Sequence, residues 1–201
     1  YGKDMLFDND SLTLSEMNEA LKASPFNDSN KLDWVGFDAC LMATLETALM
    51  LTSYADYMIA SEETEPGVGW YYTDWLTALS ENTSMSTIEI GKNIVDDFVD
   101  TCDSKCRGQK TTLSVVDLAE LEATVPDEFK GFAKSASELI QEDEYQTVSD
   151  ARYNTREFAA ANGIDQVDLV HLAQNMGTEE GEELAEALAA DSTNIIVELK
   201  A

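Results

Sequence analysis

Only one histidine, His171, occurs in the 201 residues. With a single imidazole and no HExxH motif, a metal-dependent hydrolase built on zinc is disfavoured. Basic residues are scarce as well: 12 Lys and Arg stand against 40 Asp and Glu, a formal net charge of -28. Nucleic acid and anionic membrane surfaces would be repelled by such a chain. Cations such as calcium and basic peptide segments would be attracted, although solubility alone explains much of the excess. The three cysteines, Cys40, Cys102 and Cys106, are too few for a disulfide-built scaffold. Cys102 and Cys106 would pair across the CDSKC segment, read as part of an exposed polar loop, only in an oxidising compartment. Three prolines and 44% apolar residues describe a folded chain and not a linker. No run of about eighteen apolar residues is present, and no signal peptide opens the sequence. The opening YGKDM is not an initiator sequence, so the expectation is a mature or processed piece.

What is present is organised around one stretch, LDWVGFDACLMATLETALML, from Leu32 to Leu51. Trp34, Val35, Gly36 and Phe37 form an apolar run that suits a strand buried on both faces of a parallel sheet. From Leu41 the period becomes helical, through Leu45, Ala48 and Leu49. Asp38-Ala39-Cys40 would then lie at the carboxyl end of a strand and the mouth of a helix, the edge where open α/β sheets place their chemistry. Helix N–H groups there would favour a thiolate. A lone cysteine after an apolar strand is more often core packing, and Asp38 alone would be read first as a helix N-cap.

Around that stretch, Ser11 or Thr13 caps a helix through Glu16 and Leu21 that Ser24-Pro25 ends. A helix over 41–54 leads to a strand at 55–60, which makes a βαβ unit. Glu65 to Trp70 is a rigid, glycine-containing loop entering an aromatic cluster of Trp70, Tyr71, Tyr72 and Trp75. Thr87 caps a helix through Ile94 and Phe98, and 112–118 is a further strand or a strand-to-helix transition. Residues 119–140 are helical, broken or restarted at Pro126. Helices follow over 148–161, with Arg152 and Arg156 at i, i+4, over 167–176 and over 179–190. Residues 194–199 form a short β-prone or helical end. The fold class is α/β with helices on both faces, and three evident strands are few for this many helices.

Asp38-Ala39-Cys40-Leu41-Met42, followed by ADYMIASEETEPGVGW over 55–70, resembles the clostripain-like cysteine peptidases of the caspase-like clan, which also holds gingipains and legumains. The resemblance runs from Tyr1 to about Leu118 and thins afterwards. It implies a caspase-like sheet whose first strands are missing from this chain. It divides the chain into 1–118, the part of the peptidase domain with the catalytic cysteine, and 119–201, a mostly helical continuation packed on it. It also implies that Cys40 is the nucleophile and that Asp38 lies at the base of the primary specificity pocket, selecting a basic residue before the cut. The family's histidine lies in a His-Gly motif upstream of the cysteine. Members mature by internal cleavage into a light and a heavy chain that stay together, so this chain resembles the heavy chain, with the histidine on a light chain. Calcium, as a structural or activating ion, and a secreted or cell-surface bacterial location follow from the same resemblance.

A carboxylate two residues from the nucleophile is near enough to meet the side chain of the residue being cut. It would pair with the fork of arginine better than with the point charge of lysine. Ser61 and Glu62 can line the same pocket, and Trp70 can wall the substrate cleft or cover core. His171, flanked by Val170 and Leu172, reads as a half-buried structural histidine. Asp4, Asp8 and Asp10 are spaced suggestively for calcium but lack the rest of an EF-hand loop. The leading function is thus hydrolysis after arginine, with lysine second. The alternative is a non-catalytic acidic α/β module that binds calcium or a basic protein partner.

Overall fold

Thr13 accepts the backbone N–H of Glu16 while the Glu16 carboxylate accepts that of Thr13, a reciprocal capping box that starts α1 (Leu14–Lys22). In the computed structural model the described residues are 5–6, 8, 10–109, 111–160, 163–190 and 196–200. They fall into two compact units, one of Tyr1–Ala119 with Glu198–Ala201, the other of Glu120–Val197.

The strands β1 (Leu32–Gly36), β2 (Ala55–Ala60) and β3 (Leu113–Asp117) of the first unit form, with β6 (Ile196–Lys200), a four-stranded sheet in that spatial order, with helices on both faces. β1 and β2 are parallel, joined by α2 (Leu45–Leu51), as a βαβ unit requires. Their register, Gly36 opposite Ile59, makes both strands end at one edge, so Asp38–Cys40 and Ser61–Glu65 leave the sheet side by side. β3 runs antiparallel to β2 with Ala60 opposite Ser114, which brings the start of β3 to that same edge.

Among the described strands β1 stands at the edge of the sheet, and it is only partly buried, unlike the doubly buried strand its apolar run suggests. The strands buried more deeply are β2, whose Met58, Ile59 and Ala60 are closed off, and β3, whose Leu113, Ser114, Val115 and Val116 are. α3 (Tyr72–Glu81) carries Trp75. α4 (Thr87–Lys105) buries Ile94, Val95 and Phe98 completely, each worth about 1.5–3 kcal/mol. Gly91 permits this seating, since a Cβ there would come within 2.8 Å of Val115 on β3.

Several boundaries depart from the periodicity. The helix after Cys40 begins at Leu45 and not Leu41, because Thr44 accepts the N–H of Thr47 and caps it there. Ser86, not Thr87, caps α4 in a second capping box with Glu89. α4 continues through the segment read as a polar exposed loop, and Cys102 and Cys106 are buried, free thiols in its last turn and cap. One face of an amphipathic helix stays apolar even where its sequence is mostly polar.

α5 (Leu118–Gln141) runs unbroken through Pro126. In the second unit α6 (Tyr145–Asn154) ends before Arg156, which lies in the approach to a two-stranded sheet of β4 (Glu157–Phe158) and β5 (Gln166–Val167). The expected helix over 148–161 is therefore shorter, and Arg156 is not on it. α7 (Leu169–Met176), capped by Asp168, and α8 (Glu179–Ala190) pack closely: a Cβ on Gly181 would meet the Ala173 carbonyl at 2.5 Å. Among the described residues no helix is long and apolar enough to cross a membrane.

Candidate active site

Cys40 is exposed, on the turn that follows β1. The turn is tight: Leu41, the next residue, has a φ of 61°, a left-handed conformation unfavourable for a branched side chain. It is held by the segment that leaves β2. Leu41 N–H donates to the Glu63 carbonyl at 3.1 Å, Ala43 N–H to the Ser61 carbonyl at 2.9 Å, and Glu65 N–H to the Cys40 Sγ at 3.3 Å. The donor that meets the sulfur is thus a loop amide and not the start of a helix, because α2 begins five residues later.

Asp38 is half-buried, and it caps no helix, since Thr44 has that role. Its Oδ1 accepts the Trp70 backbone N–H at 3.2 Å and its Oδ2 the Tyr72 hydroxyl at 3.0 Å. A carboxylate has about four acceptor positions, so two donors leave room for a further pair. Gly69 allows the approach. It has a φ of 63°, and a Cβ there would lie 2.9 Å from Asp38 Oδ1.

Trp70 is buried, 6% exposed, so most of its ring lies beneath the surface. It covers Gly36, where a Cβ would come within 2.8 Å of the indole, and it stacks on Tyr72 with centroids 6.4 Å apart. Its indole N–H donates to Glu65 Oε1 at 3.4 Å. Glu65 was not singled out by the sequence reading, although Glu-Pro-Gly is part of the motif quoted above. Burial, above all, pushes its carboxyl up to about 8. The indole bond works against that shift, while the charge of Asp38 and a hydrogen bond with it add to it.

Ser61 and Glu62 belong to a neighbouring network. The fully buried Ser61 Oγ bonds the Glu63 carbonyl and the Thr112 hydroxyl, at 3.0 and 3.1 Å. Glu62 Oε1 accepts the Ser114 hydroxyl at 3.0 Å. These bonds tie the loop after β2 to β3. His171 lies on α7 in the second unit, where its Nδ1 accepts the Arg156 backbone N–H at 3.1 Å. That bond ties the ring of α7 to the residue that leads into β4.

Among the described residues no group of three or more His, Cys, Asp or Glu could hold a metal ion. Asp4, of the acidic trio, lies outside the described residues, and Asp10 Oδ1 accepts the Ser11 N–H.

The chain superposes over its whole length on a B. fragilis cysteine protease, with a TM-score of 0.62 and 19% identity, covering 77% of that chain. It superposes equally on a secreted C11 cysteine protease from Bacteroides thetaiotaomicron in complex with an irreversible peptide inhibitor, with a TM-score of 0.63 and 22% identity, spanning 52% of that chain. An inactive zymogen C11 protease from Parabacteroides distasonis matches 93% of this chain and 47% of its own, with a TM-score of 0.56 and 16% identity. At such identities the likeness establishes the fold. No curated protein matches the sequence. A family model described as the Clostripain family, peptidase C11, matches residues 2–199, and the chain therefore belongs to the clostripain family of cysteine proteases.

Proposed function

We propose that this chain is the cysteine-bearing part of an endopeptidase that hydrolyses peptide bonds after arginine, with lysine second. One observation carries the reading: an exposed Cys40 thiol and a half-buried Asp38 carboxylate stand two residues apart on the turn where β1 and β2 end together. The thiolate would attack the scissile carbonyl, expel the amine to leave an acyl-enzyme, and be regenerated by water. The Cys40 backbone N–H, with a glycine N–H from outside this chain, would stabilise the oxyanion. The Glu65 amide would hold the sulfur in place. The base is proposed to be a histidine of a light chain, since His171 already accepts a backbone N–H. Asp38, facing the side chain before the cut, would pair with its guanidinium.

Calcium enters this reading as a structural or activating ion only, and no chemical step passes through it. Secretion or display on a bacterial surface is proposed because a similar structure is described as that of a secreted protease. The test compares hydrolysis of peptides with an internal arginine by the full-length protein and by its Cys40→Ala form. Loss of turnover with the fold intact is expected. Undiminished turnover would overturn the assignment. Tight binding of basic peptides without hydrolysis by the unaltered protein would favour the acidic binding module, for which the net charge of -28 speaks.

A further inference from the structure

Beneath Asp38 lies a second carboxyl group, that of Glu65. Its Oε1 receives the long indole bond from Trp70, 3.4 Å. Its Oε2 is buried, and among the described residues no hydrogen-bond donor reaches it. The group within hydrogen-bonding range is the Asp38 carboxylate, itself only an acceptor when ionised. Two neighbouring half-buried carboxylates, one with a buried orphan oxygen, are satisfied if one proton lies between them. Asp38 already has two donors, from Trp70 and Tyr72, whereas Glu65 has one long one. The proton accordingly resides on Glu65, whose carboxyl becomes a donor to Asp38. Among the described residues the other groups facing Glu65 supply no positive charge: the Trp70 indole on its own loop, and the Cys102 thiol on α4, itself pushed up to about 11 mainly by burial.

We propose that Glu65 is the second carboxylate of the specificity pocket, sharing one proton with Asp38 in the free protein and releasing it when a cationic side chain enters. The inference rests on the reading of Asp38 as the seat of a basic residue. An arriving guanidinium supplies the donors and the positive charge that the proton supplied before. The proton passes to solvent, and the pocket then presents two negative charges to the cation. Binding is therefore a cation-for-proton exchange and strengthens as pH rises toward the range in which Glu65 ionises unaided. The backbone of Glu65 also contacts the nucleophile, so the same residue links the occupied pocket to the sulfur.

Benzamidine, a planar cation that mimics the arginine head group, serves as the probe for calorimetry on the full-length protein in two buffers of different ionisation enthalpy. At a pH of about 7 the expected result is release of about one proton per benzamidine bound, with affinity rising by up to about tenfold per pH unit. Glu65→Gln, which keeps the shape and donates an amide N–H to Asp38, should bind with no proton release and no such pH dependence. In the unaltered protein a carboxyl C=O infrared band should vanish when benzamidine is added. Benzamidine binding without proton release, equal release by Glu65→Gln, or a carboxyl band that persists would each overturn the shared proton while leaving the Asp38 pocket standing. Failure to bind benzamidine, or binding unchanged in Asp38→Asn, would overturn the pocket reading and this inference together.

Discussion

The backbone N–H of Glu65 donates to the sulfur of Cys40 across 3.3 Å, joining residues twenty-five positions apart in sequence. The bond exists because two parallel strands end in register, so the turn after β1 and the loop after β2 meet. The Cys40 sulfur also lies 3.8 Å from the Glu65 carbonyl oxygen, so both backbone polar groups of Glu65 hold it in place. Of the three cysteines, Cys40 alone is exposed.

Alkylation should reflect that difference. Burial, and secondarily the neighbouring Cys106 thiol, pushes Cys102 up to about 11, and both α4 cysteines are closed off. Iodoacetamide at neutral pH should label Cys40 at least about 100-fold faster than either, read by mass spectrometry of the peptides. Equal rates would remove Cys40 as the nucleophile. Cys40→Ala should melt within about 1 kcal/mol of the parent, since an exposed side chain leaves no cavity.

Much of this site can be read in the sequence, and the unread part has a physical cause. The strand, turn and cysteine over 34–40 follow from an apolar run that stops at a charge. Strands 55–60 and 113–117 were likewise legible in their β-branched and apolar residues. The start of α2 was missed because Leu41 and Leu45 share a helical spacing, while the decisive Thr44 cap looks like any threonine. The burial of Cys102 and Cys106 was missed because only α4's packing shows which face of a polar stretch turns inward. Glu65 was invisible as a site residue for a different reason. Its role depends on Asp38, which reaches it through the register of two strands and not through any local pattern.

Asp38→Asn tests specificity directly. Truncating one partner of a buried, charge-assisted pair costs about 2–5 kcal/mol, or about 30- to 5000-fold in kcat/KM. Peptides that differ only in carrying Arg, Lys or a neutral residue before the cut should show that loss for arginine and little change for the neutral residue. An unchanged arginine preference would move the specificity carboxylate elsewhere.

Gly69 should be nearly as sensitive, for steric reasons. At a φ of 63° an alanine costs about 1–2 kcal/mol in backbone strain, and its Cβ would press on Asp38 Oδ1 from 2.9 Å. Gly69→Ala is expected to lower the melting temperature by several degrees and to raise KM for arginine peptides more than it lowers kcat. Gly67→Ala, where nothing lies within 4 Å of the added carbon, is the control that should do neither.

His171→Gln is expected to leave kcat within about threefold, measured with the assembled protein. Its Nδ1 accepts the Arg156 N–H and its own N–H is capped by Asp168, so the loss should appear as about 1 kcal/mol of stability in denaturant. A loss of kcat comparable to that of Cys40→Ala, with the fold intact, would make His171 the base.

The last prediction concerns stability and pH, and its sign follows from the direction of one shift. Glu65 titrates at about 8 in the folded chain, against about 4.3 for an unperturbed glutamate. The folded state therefore holds a proton that the unfolded state has lost throughout the interval between those values. Stability falls with pH wherever the folded state binds more protons. The contribution of Glu65 is thus complete below about 4.3, declines as pH rises to about 8, and is constant beyond. Forty acidic residues titrate in this protein, so the comparison must be between the parent and Glu65→Gln, in which every other group is shared. The melting temperature of the parent minus that of Glu65→Gln should decrease steadily from pH 5 to pH 8 and flatten above it. A difference that stays level across that range, or rises, would show that Glu65 is ionised in the folded protein and that some other group satisfies its buried oxygen.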